Sequence, residues 1–172
     1  MFGFKKRDRV AEFVAGPSGR SVLHSVGDLA DHFKVLDGWD AEMLSVPELT
    51  YLAAFTAWIA VRDDRARFGL MQREAIEVGP GLVQGLCRWY SEKKRLAPEE
   101  TQRLIKKGFD RLSEYDIMWS AGVEKNDLGA YHLHAFTCVQ AADSKTHDGF
   151  IDHVTTYVPL TISLDQRLRA TV

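Results

Sequence analysis

Only two cysteines, Cys87 and Cys138, occur among the 172 residues, which excludes a disulfide framework as the source of stability. Each sits among apolar neighbours, Val83, Leu86 and Tyr90 for the first and Phe136 and Val139 for the second. A reduced thiol in such a setting packs as a small hydrophobe. A reducing compartment, the cytoplasm, is therefore expected. Charge of one sign is also missing, with 22 Lys and Arg against 24 Asp and Glu and a formal net charge of -2. This balance supplies no global field for gripping nucleic acid, so no nucleic-acid partner is expected. The basic clusters Lys5-Lys6-Arg7, Lys93-Lys94-Arg95 and Lys106-Lys107 are flanked by acids and read as solvated helix ends.

No apolar run reaches the roughly 20 residues that span a bilayer. The N-terminal stretch MFGFKKRDRVAEFVAG lacks the apolar centre of a secretory signal. There is no internal repeat, low-complexity tract or long Ser/Gly/Pro linker to divide the chain. A length of 172 residues suits one domain with a sizeable core. The expected division is an N-terminal amphipathic arm or helix over 1–15 and a single helical domain over 20–172.

What the chain does have is Leu49 to Val61, LTYLAAFTAWIAV, a run interrupted only by Thr50 and Thr56. It follows Ser45-Val46-Pro47-Glu48, in which Ser45 can cap and Glu48 can reach back. A helix starting here is apolar nearly all round, so it must be wrapped by others.

The rest of the pattern is helical too. Phe2, Phe4, Val10, Phe13 and Val14 surround a charged centre and give a short amphipathic opening helix, ended by Gly16-Pro17-Ser18-Gly19. Docking of this arm on the domain is expected. The alternative is peripheral membrane contact, with phenylalanines in the lipid interface and Lys5, Lys6 and Arg7 on headgroups. Ser21 to Leu36 reads as a second helix, and the central helix extends toward Ile76 with Gly69 as its bend or break.

Gly79-Pro80-Gly81 reads as a turn and a close helix approach, followed by a helix with the stripe Leu82, Val83, Leu86, Cys87 and Tyr90. Pro98-Glu99-Glu100 opens the clearest amphipathic helix, whose buried face is Ile105, Phe109, Leu112, Tyr115, Trp119 and Val123. Asn126-Asp127 starts another, with Leu128, Tyr131, Ala135, Cys138, Val139 and Ala142 inward. Helix is expected on both sides of Pro159. The fold class is all-α, a single bundle-like domain of six or seven helices, and Trp39, Trp58, Trp89 and Trp119 belong to its core or to the edge of a partner surface.

Chemistry is sparse. The densest group of potential ligands is His132, His134, Cys138, Asp143, His147, Asp148, Asp152 and His153. His134 and Cys138 are four apart, as are Asp143 and His147, so each pair can share one side of a helix. No Cys-x-x-Cys, His-Glu-x-x-His or Glu-x-x-His spacing accompanies them, and neither a phosphate loop nor a Gly-x-Ser-x-Gly elbow occurs. In the plainer reading Cys138 packs inward, His134 borders the core, and the later acids and histidines form a solvated helix end.

His147-Asp148, with His132 upstream and Asp165 downstream, resembles the HD-type phosphohydrolases over those positions. The resemblance implies a divalent ion that activates water for phosphate-ester hydrolysis. The dipeptide follows the polar stretch Ser144-Lys145-Thr146, whereas such enzymes carry it at an apolar helix end.

The expected function is that of a cytoplasmic helical protein-interaction module, an adaptor, inhibitor or regulatory protein whose partner is another protein or a second copy. No catalytic residue and no cofactor are assigned. The alternative is a metal-dependent hydrolase acting on phosphate esters, with His132, His134, His147, Asp148 and Asp152 around a divalent metal.

Overall fold

The computed structural model describes residues 8–22, 24, 47–131, 133–135 and 138. Among them there are six helical segments and no strand, as the all-α reading expects. Four are α1 (Arg9–Ala15), α2 (Pro47–Asp63), α3 (Gln72–Lys94) and α4 (Pro98–Lys125). Shorter helical stretches cover 17–22 and resume at 129. The expected helices around Pro159 and most of the Ser21–Leu36 helix lie outside the described residues.

The central helix α2 is enclosed on every side. All residues from Thr50 to Val61 are buried except Trp58, which is half-buried. Helices α3 and α4 both pack on α2, and Val22, Tyr131, Ala135 and Cys138 belong to the same core. Thr56 satisfies its hydroxyl inside the helix by donating to the Leu52 carbonyl at 3.0 Å, so its burial leaves no orphan donor. Phe55 is the centre of an aromatic cluster, with ring centroids 5.5 Å from Tyr115, 5.6 Å from Tyr131 and 6.3 Å from Trp119. Edge-on and tilted contacts of this kind favour one fixed arrangement over a fluid core.

Ser45, the expected capping partner of Glu48, lies outside the described residues. The Glu48 carboxylate turns onto α4, where Arg111 and Lys107 bind it, because a carboxylate buried in a first helical turn needs cationic partners.

The chain leaves α2 through a turn over 64–69, and Gly69 adopts φ +65. The sequence reading extends the central helix toward Ile76 with its break at Gly69; the helix ends instead at Asp63, where Asp63-Asp64-Arg65 turns polar, and the glycine closes the turn that follows.

Gly79-Pro80-Gly81 is not a turn. It lies inside the 23-residue helix α3. An interior proline costs about 3 kcal/mol through its missing N–H and ring clash, and close packing offsets that cost. A methyl group at Gly79 would sit 2.6 Å from Cδ2 of Trp58, and one at Gly81 would meet Val10 and Val14 at 3.2 Å. The glycines thus let α2 and α1 approach the two sides of α3. The close approach was legible, but the turn signal yielded to tertiary packing.

Helix α1 docks on α3, as expected for this part of the arm, through Val10 and Val14, and Phe13 meets Phe68 of the 64–69 turn edge-on at 5.6 Å. Gly16 interrupts it, yet helix resumes at Pro17 rather than at Ser21, because proline's fixed φ suits a first helical position.

Helix α4 begins as the sequence implies. Pro98 occupies the first turn, and the Glu100 carboxylate accepts from the Ala97 N–H at 3.0 Å. Ile105, Leu112 and Tyr115 are buried while Phe109 and Trp119 are half-buried. Val123, expected on the buried face, is exposed because it lies in the last turn before Asn126.

Candidate functional site

The link after α4 sets the geometry of the densest polar cluster. Asn126 is left-handed at φ 53, the Asp127 N–H donates to the Gly122 carbonyl at 2.8 Å, and the Asp127 side chain accepts from the Gly129 N–H at 2.8 Å. These bonds close α4 and start a helix that folds back along it. Tyr131 then packs on Trp119 with centroids 5.2 Å apart. One turn later His134 stands edge-on to Tyr115 at 5.9 Å.

This register brings His134 and Cys138 to Glu114. The His134 Nε2 atom lies 3.3 Å from Glu114 Oε2 and 3.6 Å from the Cys138 Sγ, and ligand atoms of all three residues fall within 4.8 Å of one another. Cys138 is buried, whereas His134 is half-buried and Glu114 exposed.

A charged chain supports the cluster from behind. Lys107 Nζ is 2.6 Å from Glu48 Oε1, and Arg111 donates through Nε at 2.9 Å and Nη2 at 3.2 Å to the same carboxylate. The remaining Arg111 nitrogen, Nη1, donates to Glu114 Oε2. Lys107, Arg111 and Glu114 follow spacings of four and three on α4, which align them on one face. Burial works against the Arg111 charge, but hydrogen bonds and attraction from Glu48 outweigh it and hold the guanidinium protonated. Burial raises the Cys138 pKa, and Glu48 and Glu114 act in the same sense, while Arg111 and the Tyr115 hydroxyl oppose them.

Of the sequence-predicted ligands, the structure brings together His134 and its spacing-four neighbour Cys138, with the thiol inward and the imidazole at the core boundary. His132, His147, Asp148 and Asp152 lie outside the described residues, as do Asp143, His153 and Asp165. Glu114 escaped the sequence reading because it is twenty positions before His134 on another helix. Its one available signal was the alignment with Arg111 on the helix face.

A second feature lies around α1. Val10 and Met71 line a recess of about 350 Å³ together with Arg9, Arg73, Glu74 and Glu77. On the other side of Arg9, Phe13, Phe68 and Leu70 line an adjoining recess of about 510 Å³ with Glu12. Arg9 is fixed between them, its Nη1 donating to the Gly69 carbonyl at 2.6 Å. Met71 is 58% exposed, an unusual position for a large apolar side chain beside a recess.

Among the described residues, no helix is long and apolar enough to cross a membrane. No protein-family model matches the chain, and no curated protein or solved structure does either.

Proposed function

We propose that the protein is a cytoplasmic helical interaction module, an adaptor, inhibitor or regulatory protein that acts by binding another protein through the surface around α1. The observation that carries this reading is the paired recess on either side of Arg9. Val10 and Met71 stand among Asp8, Arg9, Arg73, Glu74 and Glu77 in one recess, and Phe13, Phe68 and Leu70 beside Arg9 and Glu12 in the other. Met, aromatic and Arg side chains are the types enriched where proteins bind one another. Opposite charges in these recesses suit a partner with its own mixed charges and give no preference for a polyanion.

The two free, buried thiols support a reducing compartment. The partner is a second protein or a second copy of this chain, and recovery of bound proteins with the full-length chain distinguishes them. Met71→Asp together with Arg73→Glu is expected to weaken the recovered partner at least tenfold, while Lys106→Glu on the exposed face of α4 leaves it unchanged. Identical recovery with all three proteins would refute the α1 surface as the binding site.

A further inference from the structure

We propose that Glu114, His134 and Cys138 form a binding site for a zinc-class transition-metal ion. The first argument is metric. Around a tetrahedral zinc ion with ordinary bond lengths, a histidine nitrogen and a carboxylate oxygen are about 3.3 Å apart, and a nitrogen and a thiolate sulfur about 3.5 Å. His134 Nε2 is 3.3 Å from Glu114 Oε2 and 3.6 Å from Cys138 Sγ. Two edges of a coordination tetrahedron are thus already set, and the third, between Glu114 and Cys138, is within 4.8 Å.

The second argument concerns valence. Glu114 and Cys138 both converge on the same imidazole nitrogen, which has a single in-plane position for a proton or a lone pair. A proton at Nε2 can point squarely at only one of the two neighbours. With the lone pair there instead, the carboxylate oxygen faces another electron pair. A metal ion on that lone pair joins all three atoms at once.

The surroundings fit this role. Arg111 donates to the ligating oxygen, Glu114 Oε2, and is itself held by the buried Glu48, the arrangement by which an outer group orients a carboxylate ligand. Glu114 and a Cys138 thiolate together neutralise a dication. The imidazole carries its proton on Nδ1, and binding releases the Cys138 thiol proton to solvent. Thiolate, imidazole and carboxylate as a set favour zinc over magnesium or calcium, which take oxygen ligands. The ion reaches the site past His134 and Glu114, whose side chains are 31% and 47% exposed.

The test uses the full chain without a histidine tag, titrated with zinc(II) and with cobalt(II) as a spectroscopic stand-in. The expected result is one ion per chain, with the visible bands of tetrahedral cobalt and a near-ultraviolet thiolate-to-cobalt band. Cys138→Ser should abolish the thiolate band, and His134→Ala and Glu114→Gln should each weaken zinc about 100-fold or more. Cys87→Ala should change neither property. Circular dichroism of each variant identifies any that fails to fold, and the spectrum of the unmodified chain decides the matter without them. Absence of a thiolate band in that chain, or its loss in Cys87→Ala and survival in Cys138→Ser, would overturn the site.

Discussion

The Glu48 carboxylate, 1% exposed, accepts two hydrogen bonds from Arg111, at 2.9 Å and 3.2 Å, across the interface between α2 and α4. A buried pair of this kind specifies how two helices meet more than it adds net stability. Losing Arg111 is costly because the buried carboxylate then keeps only the half-exposed Lys107 as a cationic partner. Arg111→Met is therefore expected to destabilise the fold by roughly 3 kcal/mol. The double variant Glu48→Leu with Arg111→Met should lie closer to the unmodified protein than Arg111→Met does. Urea unfolding of the three proteins measures this, and a double variant weaker than the single would contradict it.

Gly79 gives a steric prediction. A methyl group there would approach the Trp58 ring at 2.6 Å, and that ring donates from Nε1 to the Ala75 carbonyl at 3.0 Å. Overpacking typically costs about 1–3 kcal/mol, against a gain of up to about 1 kcal/mol in helix propensity. Gly79→Ala should lower the melting temperature and shift the tryptophan emission, whereas an ordinary solvent-facing Gly→Ala change in a helix would raise it.

Stability should fall in alkali. Burial pushes the Cys87 thiol up to about 12 from an ordinary 9.0, against a smaller opposing effect from its hydrogen bond with Tyr51. Burial also raises the Tyr51 phenol, as does its neighbour Cys87. Between pH 9 and 12 the unfolded chain loses the Cys87 proton while the native protein keeps it. The native state therefore binds more protons, and unfolding becomes easier as pH rises. Denaturant midpoints measured across that window should decline, and Cys87→Ala should flatten the slope even if the variant starts from a lower stability.

The hydrolase alternative has its own discriminating result. Replacing His147 and Asp148 together should leave both zinc content and partner binding unchanged, as seen by elemental analysis and pull-down. Loss of a stoichiometric metal in that double variant, with phosphate-ester hydrolysis present before and absent after, would favour the enzyme.

Much of the scaffold was written in local patterns. The run from Thr50 to Val61 could be stable in water only if enclosed, and α4 announced itself through Pro98, Glu100 and a regular apolar face. Gly79-Pro80-Gly81 misled because turn chemistry is a local preference, and the contacts that overrule it, Trp58 and Val10, come from other helices. The cluster of Glu114, His134 and Cys138 was half legible for the same reason. His134 and Cys138 share a helix and a spacing of four, whereas Glu114 joins them only through the reversal at Asn126 and the packing of Tyr131 on Trp119. Glu48 shows the converse case, since its cap position was apparent but its partner Arg111 lay 63 residues away.

The most direct test of the interaction reading is site-specific photo-crosslinking in living cells from a probe residue placed at position 71, beside the recess formed with α1, and from a control at position 106. A single discrete adduct from position 71, either with another protein or with a second copy of the chain, and none from position 106, is the predicted result. Adducts of equal yield and identity from both positions, or none from position 71, would contradict it.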